Sequence, residues 1–212
     1  MPYRVVIRYL VLPVLIILLT ACATAPEHVS DQPPDWLQRL QHNRQISDWA
    51  IKGKLGVQTA TEGGSFDLFW QQRDASYEIR LIAPLGQGAV YIQGNADGVT
   101  IRTHDGREEF AEDADALFIA MTGLSLPVTG MQDWLRGTPM QGNSIESISW
   151  NEHGQLYKLK QRGWNIEMNR YKPTGKNELP HAFYLGRDDQ PELSVRLLVR
   201  QWELPAGHAQ AQ

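Results

Sequence analysis

Cysteine is almost absent. The chain has one in 212 residues, so no disulfide can form within it, and a small scaffold held by disulfides is excluded. Long hydrophobic runs are missing as well. The apolar stretch near the start covers residues 9–19 and is interrupted by Pro13, whereas a helix needs about 20 apolar residues to cross a bilayer. Excess positive charge is also lacking, with 20 Lys and Arg against 24 Asp and Glu, which argues against a nucleic-acid partner. The motifs of catalysis are missing too. The string nearest to a Gly-x-Ser-x-Gly elbow, Gly123-Leu124-Ser125-Leu126-Pro127, lacks the second glycine, and there is no glycine-rich phosphate loop. The histidines, His28, His42, His104, His153, His181 and His208, fall mostly in expected tether, turn or tail segments without metal-ligand spacing. They read as solvated surface groups, and neither an enzyme nor a metal or cofactor is expected.

The first residues carry a positive signal. Arg4 and Arg8, then the short apolar stretch, then Leu19-Thr20-Ala21-Cys22 have the layout of a secretory signal peptide ending in a lipobox. Such a peptide, residues 1–21, is cut before Cys22, whose thiol receives diacylglycerol and whose amine is then acylated. An ordinary signal peptide is the plainer alternative, because Ala21-Cys22-Ala23 also fits a small-x-small cleavage site. Losing Arg4 and Arg8 reduces the 20 basic residues to 18 against 24 acidic ones, a net charge of −6. Residues 22–34, with Pro26, Pro33 and Pro34, read as the lipidated cysteine and a tether. Residues 35–202 read as one folded domain, and residues 203–212 as a disordered tail.

Asp35 is expected to cap a helix that carries Trp36, Leu37 and Leu40 on one side. The period then changes from helical to alternating. Trp49, Ile51, Leu55 and Val57 point one way, and Lys52, Lys54 and Gln58 the other. Alternation continues through Phe66, Leu68 and Trp70, then Tyr77, Ile79 and Leu81, then Val90 and Ile92, then Val99 and Ile101. Turn signals, among them Pro84-Leu85-Gly86, separate these runs. The middle of the chain predicts two short apolar helices. One covers residues 113–121 and is closed by Gly123; the other covers residues 129–136, with Thr129 and Gln132 at capping-box spacing. Strands resume over residues 145–150, 155–162, 164–171, 182–185 and 193–202.

The expected fold is mainly β (α+β), about eleven antiparallel strands with three helices. An antiparallel sheet of that size must curl, split or close, and the mid-chain helices are apolar enough to cover one of its faces. A filled core and a cavity remain open alternatives. The acidic residues Glu108, Glu109, Glu112, Asp113 and Asp115 read as a turn leading into a helix N-terminus, where the helix dipole favours negative charge. Six of the seven tryptophans fall on or beside apolar faces, which suits either a large core or the wall of an apolar site.

Several strings stand in a recognisable order. They are Trp49-Ala50-Ile51-Lys52-Gly53-Lys54-Leu55-Gly56-Val57, Phe69-Trp70-Gln71, Pro84-Leu85-Gly86, Trp134-Leu135-Arg136-Gly137-x-Pro139, Gln161-x-Gly163-Trp164-x-Ile166 and Leu179-Pro180. Together with the lipobox, they resemble the LolB family of outer-membrane lipoproteins over residues 36–202. The resemblance implies an open, incomplete antiparallel β-barrel with helices as a lid over an apolar cavity. It also implies an acceptor that takes triacylated lipoproteins from the periplasmic carrier LolA and inserts them into the outer membrane. The protein would be a monomer held on the periplasmic face by lipid on Cys22. Carried over by position, the acyl-chain wall would comprise Leu55, Phe66, Leu68, Trp70, Ile79, Leu81, Val90, Ile92, Leu117, Met121, Trp134 and Ile166. On the residues alone, Leu85 either projects or folds back on the core. The resemblance implies that Pro84, Leu85 and Gly86 form a loop that projects and releases cargo into the membrane. A surface scaffold without acyl-chain binding is the alternative reading, and a lipid-acting hydrolase, for which no nucleophile motif is present, the remote one.

Overall fold

A computed structural model of the chain describes residues 28–29 and 31–205. The leader, Cys22, most of the expected tether and residues 206–212 lie outside the described residues. Strands dominate: β1 (His28–Val29), β2 (Asp48–Gln58), β3 (Gly63–Arg73), β4 (Ser76–Ile82), β5 (Ala89–Asn95), β6 (Gly98–Thr103), β7 (Glu108–Ala111), β8 (Ile145–Asn151), β9 (Leu156–Gln161), β10 (Trp164–Asn169), β11 (Lys172–Thr174), β12 (Asn177–Leu179), β13 (Ala182–Arg187) and β14 (Gln190–Glu203). Among the described residues, three α-helices accompany them: α1 (Trp36–Arg44), α2 (Ala114–Thr122) and α3 (Val128–Trp134).

Twelve strands form one antiparallel sheet in the order β1-β8-β9-β10-β13-β14-β2-β3-β4-β5-β6-β7, and β11 and β12 pair separately. Without the two-residue β1, the main sheet has the eleven strands expected. Its two edges, β1 and β7, do not meet, so the sheet curls without closing. The middle is built from the two ends of the domain: β14 runs antiparallel to β2, from Ser194 opposite Gln58 to Glu203 opposite Ala50. A bulge between Val199 and Gln201 adds twist there. Directly across from it, a Cβ at Gly53 would overlap the Leu198 carbonyl oxygen, so the position must be glycine for the strands to pair.

The alternation expected for the first strand is observed. Trp49, Ile51, Leu55 and Val57 are buried, while Lys52 and Lys54 reach solvent and pair with Glu203 and Asp67. Inward residues form rows across the sheet. Ile51 stands opposite Trp70, Trp70 opposite Ile79, Ile79 opposite Ile92, and Ile92 opposite Ile101. All seven tryptophans are buried, and Trp49 packs against both Trp70 and Trp202, with ring centroids 5.5 and 5.4 Å apart. The core is one continuous cluster running from Trp36 to Trp202. One core thus spans the described residues from α1 to β14.

Several local expectations are corrected. Asp35 makes no cap hydrogen bond; it pairs instead with Arg39 at 2.6 Å, and Leu37 is 58% exposed rather than sharing the buried side of α1. Thr129 does not begin a capping box, because α3 starts at Val128 and the Thr129 hydroxyl lies 3.2 Å from Asp115. Glu108 and Glu109 belong to β7, paired with Arg102 and Ile101, not to a turn. The β11–β12 hairpin falls in the gap that the expectation left between residues 171 and 182. His28 and Val29, expected in the tether, pair with β8, and Glu203, expected in the tail, closes β14. His181 is buried, not solvated.

Candidate functional site

The concave side of the sheet and the helices that cover it enclose the apolar interior. On α2, Ala114, Phe118 and Met121 face inward, and the helix packs over β6 and β7. The Asp113 carboxylate accepts from the Ala116 amide at 3.0 Å to start α2, and Gly123, at φ 73°, ends it. A left-handed end of this kind suits glycine, which has no Cβ to clash.

The polar groups under the lid belong to α3 and its supports. Gln161 is fully buried and satisfied: its side-chain oxygen accepts from Trp134 Nε1 at 3.1 Å and from the Met140 amide at 2.9 Å, and its nitrogen donates to the carbonyls of Met140 and Asn143. Trp70 Nε1 donates to Gln72, whose amide nitrogen donates to the Asp74 carbonyl at 2.7 Å. Arg136 pairs with Asp133 at 2.5 Å and donates to the Ile46 carbonyl at 2.8 Å. Burial pushes Asp133 up and Arg136 down from their ordinary pKa values, each partly offset by the other's charge.

The structure brings the expected wall residues together. Leu55, Leu68, Trp70, Ile79, Leu81, Ile92, Trp134 and Ile166 are exposed by 2% or less, and Met121 is buried with them. Phe66, Val90 and Leu117 pack against that cluster while partly exposed. Between cavity and filled core, the structure has the packed state, in which the wall residues touch one another. Residue reasoning missed Phe118, Gln161, Gln72 and Asp115. Gln161 was findable, because it occupies an inward slot of β9 in step with Leu159, where a polar group must find partners.

Leu85 projects: it is 95% exposed. Leu85 (φ 57°, ψ 20°) and Gly86 (φ 72°) are both left-handed, and the Gln87 amide donates to the Pro84 carbonyl at 3.3 Å. This is the hairpin turn that suits the strand twist but favours Gly or Asn at its centre. A leucine held there costs about 1–2 kcal/mol of backbone strain. By the antiparallel register, the turns at 59–62, 83–88 and 104–107 share one end of the sheet. The C-terminal end of α2 lies there too: Arg107 Nη2 reaches the Met121 carbonyl at 3.5 Å, and Gly123 sits beside the Glu62 carboxylate. The exposed leucine and the end of the lid thus lie at the same end of the sheet.

Among the described residues, no cluster of His, Cys, Asp and Glu could hold a metal ion, and no helix is long and apolar enough to cross a membrane.

An open, curled antiparallel sheet with helices over an apolar interior is a fold shared with solved proteins of very different sequence. A LolA superfamily protein from Nitrosomonas europaea superposes with a TM-score of 0.52 at 7% identity, covering 82% of this chain and 97% of that one. A DUF1329 family protein from Desulfovibrio piger gives 0.53 at 7% identity, covering 82% and 92%. The sequence narrows the class. Residues 47–202 match the family model described as "Outer membrane lipoprotein LolB". The outer-membrane lipoprotein LolB of Alkalilimnicola ehrlichii is 32% identical over 93% of this chain and 97% of its own length. That of Nitrosococcus oceani is 34% identical over 89% and 94%. The chain belongs to the LolB family of outer-membrane lipoproteins.

Proposed function

We propose that the chain accepts triacylated lipoproteins from the periplasmic carrier LolA into its apolar interior and releases them into the outer membrane at the end of the sheet that carries Leu85. Residues 1–21 are the leader, and lipid on Cys22 holds a monomeric domain at the periplasmic face. The need for such a route is energetic. Each acyl methylene in water costs about 0.8 kcal/mol, so a triacylated protein needs continuous shielding. Leu55, Phe66, Leu68, Trp70, Ile79, Leu81, Val90, Ile92, Leu117, Met121, Trp134 and Ile166 form the wall that parts to receive the chains. Pro84, Leu85 and Gly86 meet the bilayer.

The observation that carries this reading is Leu85 itself, an exposed leucine in a strained turn at the end of the sheet where the lid helix also ends. Strain of this kind persists where the surroundings enforce it, and no packing inside the protein explains the side chain. The test uses LolA loaded with a labelled lipoprotein, the chain starting at Ala23, and outer-membrane vesicles. Label moving to the wild type, and label retained on Leu85→Glu without vesicle delivery, are the expected results. The packed interior favours one second reading, a surface scaffold without acyl-chain binding; failure of any label to move would establish it over the first.

A further inference from the structure

Between α1 and the β11–β12 hairpin lies a pocket of about 330 Å³, at the lower end of the size range of small-ligand sites. Trp36 and Leu156 in its wall belong to the continuous core, and Tyr171 packs against that core. The fixed charges cancel: Arg39 and Lys176 stand against Glu178 and the Asp35 that pairs with Arg39. An uncharged ligand suits such a lining. Most of the polar groups are already engaged. Asn43 donates to the Arg136 carbonyl at 2.8 Å, Gln155 donates to Glu178 at 2.8 Å and accepts from Asn151, and the Tyr171 hydroxyl donates to the Leu156 carbonyl at 2.6 Å. Asn177 is the exception. It opens β12 on the same side as the buried Leu179 and is 7% exposed, and no group of the chain donates to its buried side-chain oxygen. A buried acceptor left in this state is rare in folded chains and weakens them.

We propose that this pocket binds the uncharged, extended peptide that follows the acylated cysteine of a cargo lipoprotein, with Asn177 as its anchor. This rests on the acceptor reading above. A primary amide matches a peptide group in both directions: the Asn177 oxygen accepts from a backbone N–H, and its nitrogen donates to a backbone carbonyl. His42 faces the same space from α1. The location fits as well. A cargo polypeptide begins where its acyl chains end, so its site must have one wall in the apolar core and the rest polar, as this pocket has.

The chain from Ala23 onward retains every described residue. Labelled with nitrogen-15, it is titrated with a capped, unacylated pentapeptide of Ser, Asn, Gly and Gln, and separately with a trimer of N-acetylglucosamine. Saturable shifts of the α1 and β12 amide signals with the peptide, and none with the glycan, are expected. Asn177→Leu should weaken peptide binding about two- to tenfold, the effect of one hydrogen bond, and raise Tm by about 2–4 °C as the unpartnered oxygen is removed. An asparagine kept for the fold alone would lower Tm and leave binding unchanged. His42→Ala, on the opposite wall and outside the core cluster, should weaken binding in the same direction and decides the matter if Asn177→Leu does not fold. A peptide that shifts neither element, a glycan that binds in its place, or binding unchanged in the folded variants overturns the proposal. Because the peptide has no acyl chain, these outcomes are independent of the label transfer that tests the acceptor reading. Peptide binding without any label transfer would overturn that reading and, with it, the assignment of the peptide to cargo.

Discussion

Replacing Leu85 by Asn separates stability from membrane engagement. The residue sits at φ 57° with 95% of its surface exposed, so the fold loses no buried contact on substitution. Asn tolerates the left-handed region better than leucine, and relief of strain should leave stability unchanged or raise it by up to about 1 kcal/mol, an increase of roughly 2–4 °C in Tm for a domain of this size. Membrane engagement should move the other way. Burying one leucine contributes about 1.5–3 kcal/mol, so the unanchored chain should partition about ten- to a hundredfold more weakly onto outer-membrane vesicles. Thermal unfolding followed by circular dichroism, together with vesicle sedimentation, reads both quantities. A variant that sediments like the wild type, or that unfolds well below it, would refute the reasoning.

Gln161→Leu should cost at least about 3 kcal/mol in urea unfolding, because it strands Trp134 Nε1, the Met140 amide and two carbonyls in the interior. Gly53→Ala should destabilise by about 1–3 kcal/mol through overlap with the Leu198 carbonyl, whereas the same change at Gly142, where a Cβ meets nothing, should act only through its positive φ and cost less; parallel urea titrations compare them. His181 gives a pH dependence. Its Nδ1–H donates to the Val199 carbonyl at 3.0 Å, and burial holds its pKa below the ordinary 6.5. The unfolded chain therefore binds more protons in that range, so this contribution to stability is complete above about pH 6.5 and is lost as pH falls through 6.5 toward the lower folded value. His181→Gln should flatten that slope in unfolding curves taken across the window.

Alternation made much of the fold legible, since Trp49 to Val57 and the runs around Trp70, Ile79 and Ile92 bury what their period says they should. What the period could not show was pairing at a distance. β14 beside β2, and Trp202 against Trp49, arise because the last strand is the one left to cover the edge of the first. Local rules failed at two helix starts, where the expected capping group took another partner. Thr129 bonds Asp115 across the lid instead of capping its own helix, and Asp35 pairs with Arg39. The β11–β12 hairpin went unseen because three-residue strands carry too little alternation to register. Two aspartates at the start of α2 were a usable signal: Asp113 fills the capping position, and Asp115, in the first turn, accepts from Thr129 instead.

The position of the acyl chains when cargo is bound is the most direct test of the proposed function. A lipoprotein carrying photoreactive acyl chains, delivered by LolA, illuminated and mapped by mass spectrometry, answers that directly. Adducts on inward residues such as Leu55, Ile92, Phe118 and Met121 are the predicted result. Adducts confined to outward residues such as Phe69 and Tyr91, or no adducts at all, would contradict it.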